Sequence, residues 1–314
     1  MKNKVIPIFF ATDDNYAPYL SVAICSLLEN ASKDYFYKIH IITNSLSVQN
    51  KNFLKTFENK NCEIKFVDIS SKINNIQRQL FLRDYYSLAI YYRLFLAEMF
   101  DEFDKAIYLD CDIVVKGDIS KFYKIPLSCN QLVGAVNDEA VVCTDEFVCY
   151  SESFLGIEKE KYFNSGVLLM NFKALRDFQF EKKFLKLLKQ VKFTVAPDQD
   201  FLNVLCYDRV KFIDKVWNKM TILGDRDESE INLIHYNLSL KPWHYKDVRY
   251  CDYFWHYAKK TSFYRQIQNE LDLYSVSSKE NDILASNRLK ALALSYAIKG
   301  GEKKKNRFKI CLIK

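Results

Sequence analysis

Two aspartates one residue apart, in Tyr108-Leu109-Asp110-Cys111-Asp112, are the residues best suited to chemistry. They fall in residues 105–115, an apolar segment that reads as a buried strand, and side chains two apart on a strand project to the same side. Paired carboxylates at a strand end suit a hard divalent cation, which also binds phosphate oxygens. A solvated turn has the same spelling, so the pair gains meaning only in company. Ile234-His235-Tyr236-Asn237-Leu238-Ser239-Leu240-Lys241-Pro242-Trp243 supplies some. An imidazole after a strand could complete a carboxylate metal site, and the Lys241 ammonium six residues on could bind a diphosphate.

Three further segments carry polar groups at element boundaries. Thr12-Asp13-Asp14-Asn15-Tyr16 offers a carboxylate, an amide and a ring able to read and stack a nucleobase. It is equally a turn capping the next helix. Tyr162-Phe163-Asn164-Ser165-Gly166 precedes a very apolar strand, and Ala196-Pro197-Asp198-Gln199-Asp200 opens a helix. Either could be an ordinary turn or cap.

The elements that must position these groups alternate from the start. Residues 5–10 read as a strand, 19–29 as a helix with Pro18 at its first position, 38–43 as a strand, 48–59 as a helix and 63–69 as a strand. Residues 85–100 then read as an apolar helix before the 105–115 strand. This rhythm predicts an α/β fold, a mostly parallel sheet with helices on both faces. Ligands of such sheets bind beyond the carboxyl ends of the strands, where both the 12–16 loop and the aspartate pair should lie. After residue 115 the rhythm loosens. Residues 133–136 and 166–170 are strands flanking a polar stretch, 137–161, which reads as a functional or mobile insertion. Residues 180–190 and 199–206 read as helices, 231–235 as a late strand, and 253–271 and 282–298 as helices.

Composition bounds the function. With 314 residues, 49% of them hydrophobic, and only 7 Gly and 5 Pro, the chain buries a large core and is neither fibrous nor disordered. The net charge is +7, yet residues 299–314 hold seven lysines and arginines against Glu302 alone. The near-neutral remainder argues against a nucleic-acid partner, which needs a basic stripe across the folded body. Nine cysteines without a Cys-x-x-Cys pair fit neither a disulfide framework nor a zinc cluster, and point to reduced thiols in a cytoplasm. There is no cleavable leader pattern and no apolar run long enough to span a bilayer. The tail mixes its bases with Phe308, Ile310, Leu312 and Ile313, a pattern suited to peripheral contact with an anionic inner membrane face.

Taken in order, the five polar segments give the chain a likeness that no one of them carries alone. Through YLDCDIVV, YFNSGVLLMN, PDQDFLN and HYNLSLKPW, residues 5–245 resemble the family 8 glycosyltransferases, which include bacterial lipopolysaccharide galactosyl- and glucosyltransferases and, more distantly, glycogenin. The resemblance implies a GT-A type, Rossmann-like catalytic domain over residues 1–250 and a helical extension with a basic tail over 251–314. It implies a UDP-galactose or UDP-glucose donor, Mn²⁺ with Mg²⁺ as a substitute, a glycan acceptor on glycoprotein, lipopolysaccharide or polysaccharide, and retention of anomeric configuration. Carried over by position, Thr12, Asp13, Asn15 and Tyr16 would hold uridine. Asp110, Asp112 and His235 would ligate the metal, Lys241 would reach the diphosphate, and Arg93 the phosphate or sugar region. Asn164, Ser165, Gly166, Asp198 and Gln199 would surround the hexose, with Asp138 near donor sugar and acceptor. One departure stands out, since many relatives have Gly where this chain has Leu238, and close backbone approach to phosphate favours Gly.

Retention needs either a nucleophile on the far face of the sugar or attack from the face that the phosphate leaves. An amide such as Gln199 is a poor nucleophile, so same-face attack is expected. Two other readings compete. A nucleotidylyltransferase would need a Gly-rich loop after the first strand, and that loop has no Gly. A non-catalytic UDP-sugar-binding scaffold would be expected to have lost some metal or phosphate candidates, and all are present.

Overall fold

The computed structural model describes residues 4–82, 87–222 and 230–301. Its strands are β1 (Lys4–Ala11), β2 (Tyr35–Thr43), β3 (Cys62–Asp68), β4 (Ala106–Leu109), β5 (Ile113–Val115), β6 (Val133–Ala135), β7 (Val167–Met170), β8 (Val210–Phe212), β9 (Lys219–Met220) and β10 (Leu233–His235). Seven of them form one sheet in the order β3-β2-β1-β4-β7-β6-β8. All pairings in it are parallel except those of β7, which runs against both β4 and β6. The strand–helix alternation of the first hundred residues imposes this, because a parallel connection needs a crossover, and α1 (Ala17–Asn30) and α2 (Val48–Lys55) provide two. With β1 central, both its faces are covered: Ile8 and Phe10 join the core under α1, and Phe9 the core on the opposite face.

The 105–115 segment is two strands rather than one. At Asp110 the chain leaves the large sheet, its N–H still donating to Gly166 O at 2.7 Å. At Ile113 it enters a three-stranded sheet, β5-β10-β9, and Asp112 O accepts from Tyr236 N at 2.9 Å. The aspartates therefore sit in a crossover between two sheets, and a backbone bond on each side fixes it.

The 85–100 helix is also corrected. Residues 85 and 86 lie outside the described residues, and the rest of the segment is a 3₁₀ helix, Leu88–Leu94, and a short α-helix, Leu96–Met99. The tighter winding of the first carries Arg93 inward, where it is 4% exposed. The 137–161 stretch is compact and helical, with α3 (Glu139–Val142), α4 (Asp145–Cys149) and a π-helical turn at Tyr150–Leu155. Further on come α5 (Phe180–Leu188) and α6 (Pro197–Cys206).

The C-terminal region is helical, as expected, but 253–271 is split into α7 (Cys251–Ala258) and α8 (Tyr264–Leu273), and a single long helix, α9 (Val276–Gly301), comes after them. Phe254 and Ile267 bury into the core beneath α1, whereas Ala293 of α9 buries into the opposite core. A Cβ on Gly300 would come within 2.6 Å of Ser153 O, so α9 lies directly on the π-helical turn. Among the described residues no helix is long and apolar enough to cross a membrane.

Candidate active site

One pocket opens where the crossover, the first loop and the segment after β10 meet. Asp110, Asp112 and His235 bring one ligand atom each to within 4.8 Å of one another. His235 Nε2 lies 3.3 Å from Asp112 Oδ1 and 3.9 Å from Asp110 Oδ2. The other ring nitrogen, Nδ1, is 3.0 Å from Asn218 Oδ1, an acceptor that favours a proton on Nδ1 and turns Nε2 to the carboxylates. Two carboxylates and an imidazole suit Mn²⁺ or Mg²⁺ rather than a thiolate-seeking metal. The floor behind them is Gly166, where any Cβ would collide with His235 and Asp110. The residues fit a divalent cation.

Each of the two aspartates has a basic partner. Arg93 Nη2 donates to Asp110 Oδ1 at 2.7 Å, and the Lys241 ammonium donates to Asp112 Oδ2. Burial acts to raise the Asp112 carboxyl, but Lys241 and then His235 outweigh it and hold it below the usual carboxylate range. Arg93 stacks on the Tyr108 ring, 4.4 Å from its centroid, and donates to Ser165 O at 2.6 Å and to Ile90 O at 3.0 Å. Its Nε also lies 3.3 Å from Asp198 Oδ2. Arg93 therefore ties together Asp110, Ser165 and Asp198 at the pocket base.

The opposite end is a network of amides. Gln199 Oε1 accepts from Ser165 N at 2.9 Å, and its Nε2 donates to Asp138 Oδ2 at 2.9 Å. Asn164 Nδ2 donates to the same Asp138 oxygen at 3.1 Å. Asp138 also caps α3, accepting from Ala140 N and Val141 N. Asn203 clamps α6 to the Tyr162–Gly166 segment through Phe163 N and Phe163 O, both at 2.8 Å. The PDQDFLN and YFNSG segments thus act as one rigid unit.

Of the residues singled out by sequence, Thr12, Asp13, Tyr16, Arg93, Asp110, Asp112, Asp138, Asn164, Ser165, Asp198, Gln199, His235 and Lys241 all line this pocket. Asn15 is exposed and outside the lining, and Gly166 lies behind it. Asp13 closes the first loop, accepting from Asn15 N and Tyr16 N at 3.1 Å. Leu238 holds φ 58°, the left-handed conformation that favours Gly, so the departure noted in the sequence coincides with backbone strain.

Two residues escaped sequence reasoning, Asn218 and Leu289, and a third, Asp200, was noted in its segment without a role. Asn218 is fully buried between His235 and Asn164, and its only signal is an amide directly after the apolar pair Val216-Trp217. Asp200 is fully buried and capped by the hydroxyls of Tyr150 and Tyr162, each at 2.7 Å; burial pushes its carboxyl up to about 7. Leu289, from α9, reaches the apolar wall formed by Val141, Phe147, Tyr150 and Val195.

The mostly parallel sheet with helices on both faces is a GT-A type fold, matched by solved glycosyltransferase structures. Residues 7–247 match Glycosyl transferase family 8, and the chain belongs to that family. It is 29% identical over 257 residues to a putative glycosyltransferase of Haemophilus influenzae, covering 78% of this chain and 74% of that one. It is 28% identical over 265 residues to a lipopolysaccharide 1,2-glucosyltransferase of Escherichia coli, covering 79% and 76%. The solved structure of the galactosyltransferase LgtC with donor and acceptor sugar analogues superposes with a TM-score of 0.66 at 26% identity, covering 82% of this chain and 96% of that one. The bifunctional glycosyltransferase WbbM superposes at 0.75 and 25% identity, covering 85% of this chain, which spans about half (52%) of that protein.

Proposed function

We propose that this glycosyltransferase moves galactose or glucose from a UDP-sugar to a glycan acceptor with retention, using Mn²⁺ or Mg²⁺. The observation that carries the reading is the convergence of Asp110, Asp112 and His235 on one point beside Lys241 and the first-loop residues Asp13 and Tyr16. The two relatives differ in sugar, one a glucosyl- and one a galactosyltransferase, so the reading extends to a hexose of these two kinds and no further.

On this reading Thr12, Asp13 and Tyr16 hold the uridine, and Asn15 contributes at the loop rim. Asp110, Asp112 and His235 hold the metal, which when bound offsets charge on the departing diphosphate. Lys241 turns from Asp112 to the diphosphate as the donor enters and shares that charge. Arg93 keeps Asp110 and Asp198 in place. Asn164, Ser165, Asp198 and Gln199 receive the hexose, Gly166 supports them from behind the pocket, and Asp138 lies beside donor and acceptor. The acceptor hydroxyl attacks from the face the diphosphate leaves and passes its proton to a diphosphate oxygen.

Same-face attack is supported by how the possible nucleophiles are occupied. Gln199 Oε1 is taken by the Ser165 N–H, Asp198 Oδ2 lies between Arg93 and the Ser165 hydroxyl at 3.1 Å, and both Asp200 oxygens carry tyrosine hydroxyls. A sugar trapped covalently on any of the three would overturn this route.

The test of the activity is a panel of UDP-sugars scored for metal-dependent UDP release. Release from UDP-galactose or UDP-glucose, abolished by chelator, is expected; indifference to every UDP-hexose refutes the reading. The basic tail from residue 302 lies outside the described residues, and its proposed membrane contact rests on sequence alone. Deleting residues 299–314 should reduce binding to anionic vesicles; unchanged binding removes that proposal.

A further inference from the structure

A chain of hydrogen bonds links the metal end of the pocket to the sugar end, and one buried amide is its hinge. The chain has a fixed starting polarity, because Gly166 N–H can only donate, and it donates to Asn164 Oδ1 at 2.9 Å. The group of Asn218 facing that oxygen at 2.9 Å must then be its Nδ2. Asn218 Oδ1 is thereby turned to His235 Nδ1 at 3.0 Å, where only a protonated Nδ1 makes a bond. Nε2 is the nitrogen turned to Asp112 and Asp110, and in the neutral ring it carries the lone pair that a metal needs. Asn164 Nδ2, set by the same orientation, donates to Asp138 and, at 3.3 Å, to Gln199.

From this order we infer that Asn218 is a positioning residue that serves both ends of the site: it sets the His235 tautomer required for metal ligation and, with a second bond to the oxygen that Gly166 N–H already fixes, holds the Asn164 amide required at the sugar. Asn218 is 0% exposed and does not line the pocket, so it acts through these two neighbours and not by touching a ligand. The inference rests on the reading of Asp110, Asp112 and His235 as metal ligands. Outer partners of this kind typically change metal affinity by about 10–100-fold when removed.

The two halves of the role separate by substitution. Asn218→Ala removes both bonds. Asn218→Asp keeps an acceptor for His235 Nδ1–H but sets a carboxylate oxygen against Asn164 Oδ1, so only the sugar half is lost. Manganese titration by calorimetry of wild type and both variants, each first shown folded by thermal melting, reads the metal half without turnover. Hydrolysis of the UDP-hexose at saturating manganese reads the sugar half.

The expected pattern is manganese binding weakened roughly 10–100-fold in Asn218→Ala and within about threefold of wild type in Asn218→Asp, with hydrolysis reduced at least about tenfold in both. Wild-type manganese affinity in Asn218→Ala overturns the inference while leaving the metal site standing. Equal loss of manganese binding in both variants overturns it too, since a merely structural role would not distinguish them. If wild type itself binds no manganese, the metal site falls and the inference with it. Should Asn218→Ala not fold, Asn218→Ser takes its place, with the same two readouts deciding.

Discussion

Gly166 and His235 leave no space for a side chain between them: a Cβ on Gly166 would lie 2.4 Å from His235 Cε1 and 2.5 Å from Asp110 Oδ2. Both atoms belong to side chains of the candidate metal trio, and Asp110 N also hangs on Gly166 O. Gly166→Ala must therefore push the ligands apart or break that backbone bond. Overpacking of this kind costs about 1–3 kcal/mol. The expected result is a lower melting temperature together with loss of manganese binding by calorimetry. An alanine variant that binds manganese like wild type would show that the trio is not the metal site.

Asp112 and Lys241 form a buried pair, with side chains 11% and 5% exposed. Removing one charge leaves the other without its partner, which for buried pairs costs about 3–5 kcal/mol. Lys241→Met should thus lower stability as well as UDP affinity, whereas Asp110→Asn, at a side chain 25% exposed, should abolish metal-dependent turnover at less cost to the fold. Denaturant melts beside UDP-release rates compare the two. Wild-type turnover in Asp110→Asn would remove the metal assignment.

The sheet and the polar clusters were legible because they rest on local patterns. Apolar runs alternating with helical periods announced β1 to β4, and Asp110, Asp112 and His235 stood out by type. The features that escaped were set by contacts distant in sequence. The break between β4 and β5 exists because Asp110 pairs with Gly166 and Asp112 with Tyr236, partners dozens of residues away. Asn218 is an isolated amide until the fold lays it between His235 and Asn164. Leu289 joins the pocket wall only because α9 folds back over the 137–161 helices. Leu238, by contrast, was marked in the sequence by a missing Gly, and its positive φ gives that mark a physical meaning.

Leu238 also yields a test. A non-glycine residue in the left-handed region carries about 1–2 kcal/mol of strain. Leu238→Gly relieves it but adds about 0.5–1 kcal/mol of unfolded-state entropy, so stability should change little. The larger effect is expected on ligand binding, since the 37% exposed leucine borders the pocket beside Lys241. Calorimetry with UDP and manganese should show tighter binding in the glycine variant, by roughly fivefold for each kcal/mol gained. Weaker binding would mean that the leucine contacts the nucleotide favourably.

His40 gives a pH prediction independent of the active site. Its ring stacks on Phe9, with centroids 4.8 Å apart, and meets Phe100 and Phe103 edge-on. Burial, with Lys38 and Lys65 nearby, lowers its pKa from 6.5 to about 4. The folded state keeps it neutral while the unfolded chain binds a proton below 6.5, so its contribution is complete above that pH and is lost as pH falls to about 4. The shift corresponds to about 3 kcal/mol over that window. His40→Phe should flatten this part of the stability–pH curve relative to wild type, measured by urea melts from about pH 4 to 7. Parallel curves would show that His40 is not the titrating group.

The last prediction concerns how the C-terminal helices support the nucleotide end. Tyr19 stacks on Trp243 with centroids 3.7 Å apart and an 11° interplanar angle, and its hydroxyl donates to Glu270 Oε2 on α8. The other Glu270 oxygen meets His244 Nε2 at 3.1 Å, and the His244 ring stacks on Tyr274 at 3.8 Å. Trp243 and His244 follow Lys241 by two and three residues, and Tyr19 follows the first loop by three. Glu270 thus clamps, from outside the pocket, both segments proposed to hold the nucleotide. Glu270→Leu strands the Tyr19 hydroxyl, which costs about 1–3 kcal/mol. It should also raise KM for the UDP-sugar more than it lowers kcat, because the clamp steadies binding loops and touches no reacting atom. Steady-state kinetics with a melting curve test this. A fall in kcat with KM unchanged would place the effect of α8 on the chemical step instead.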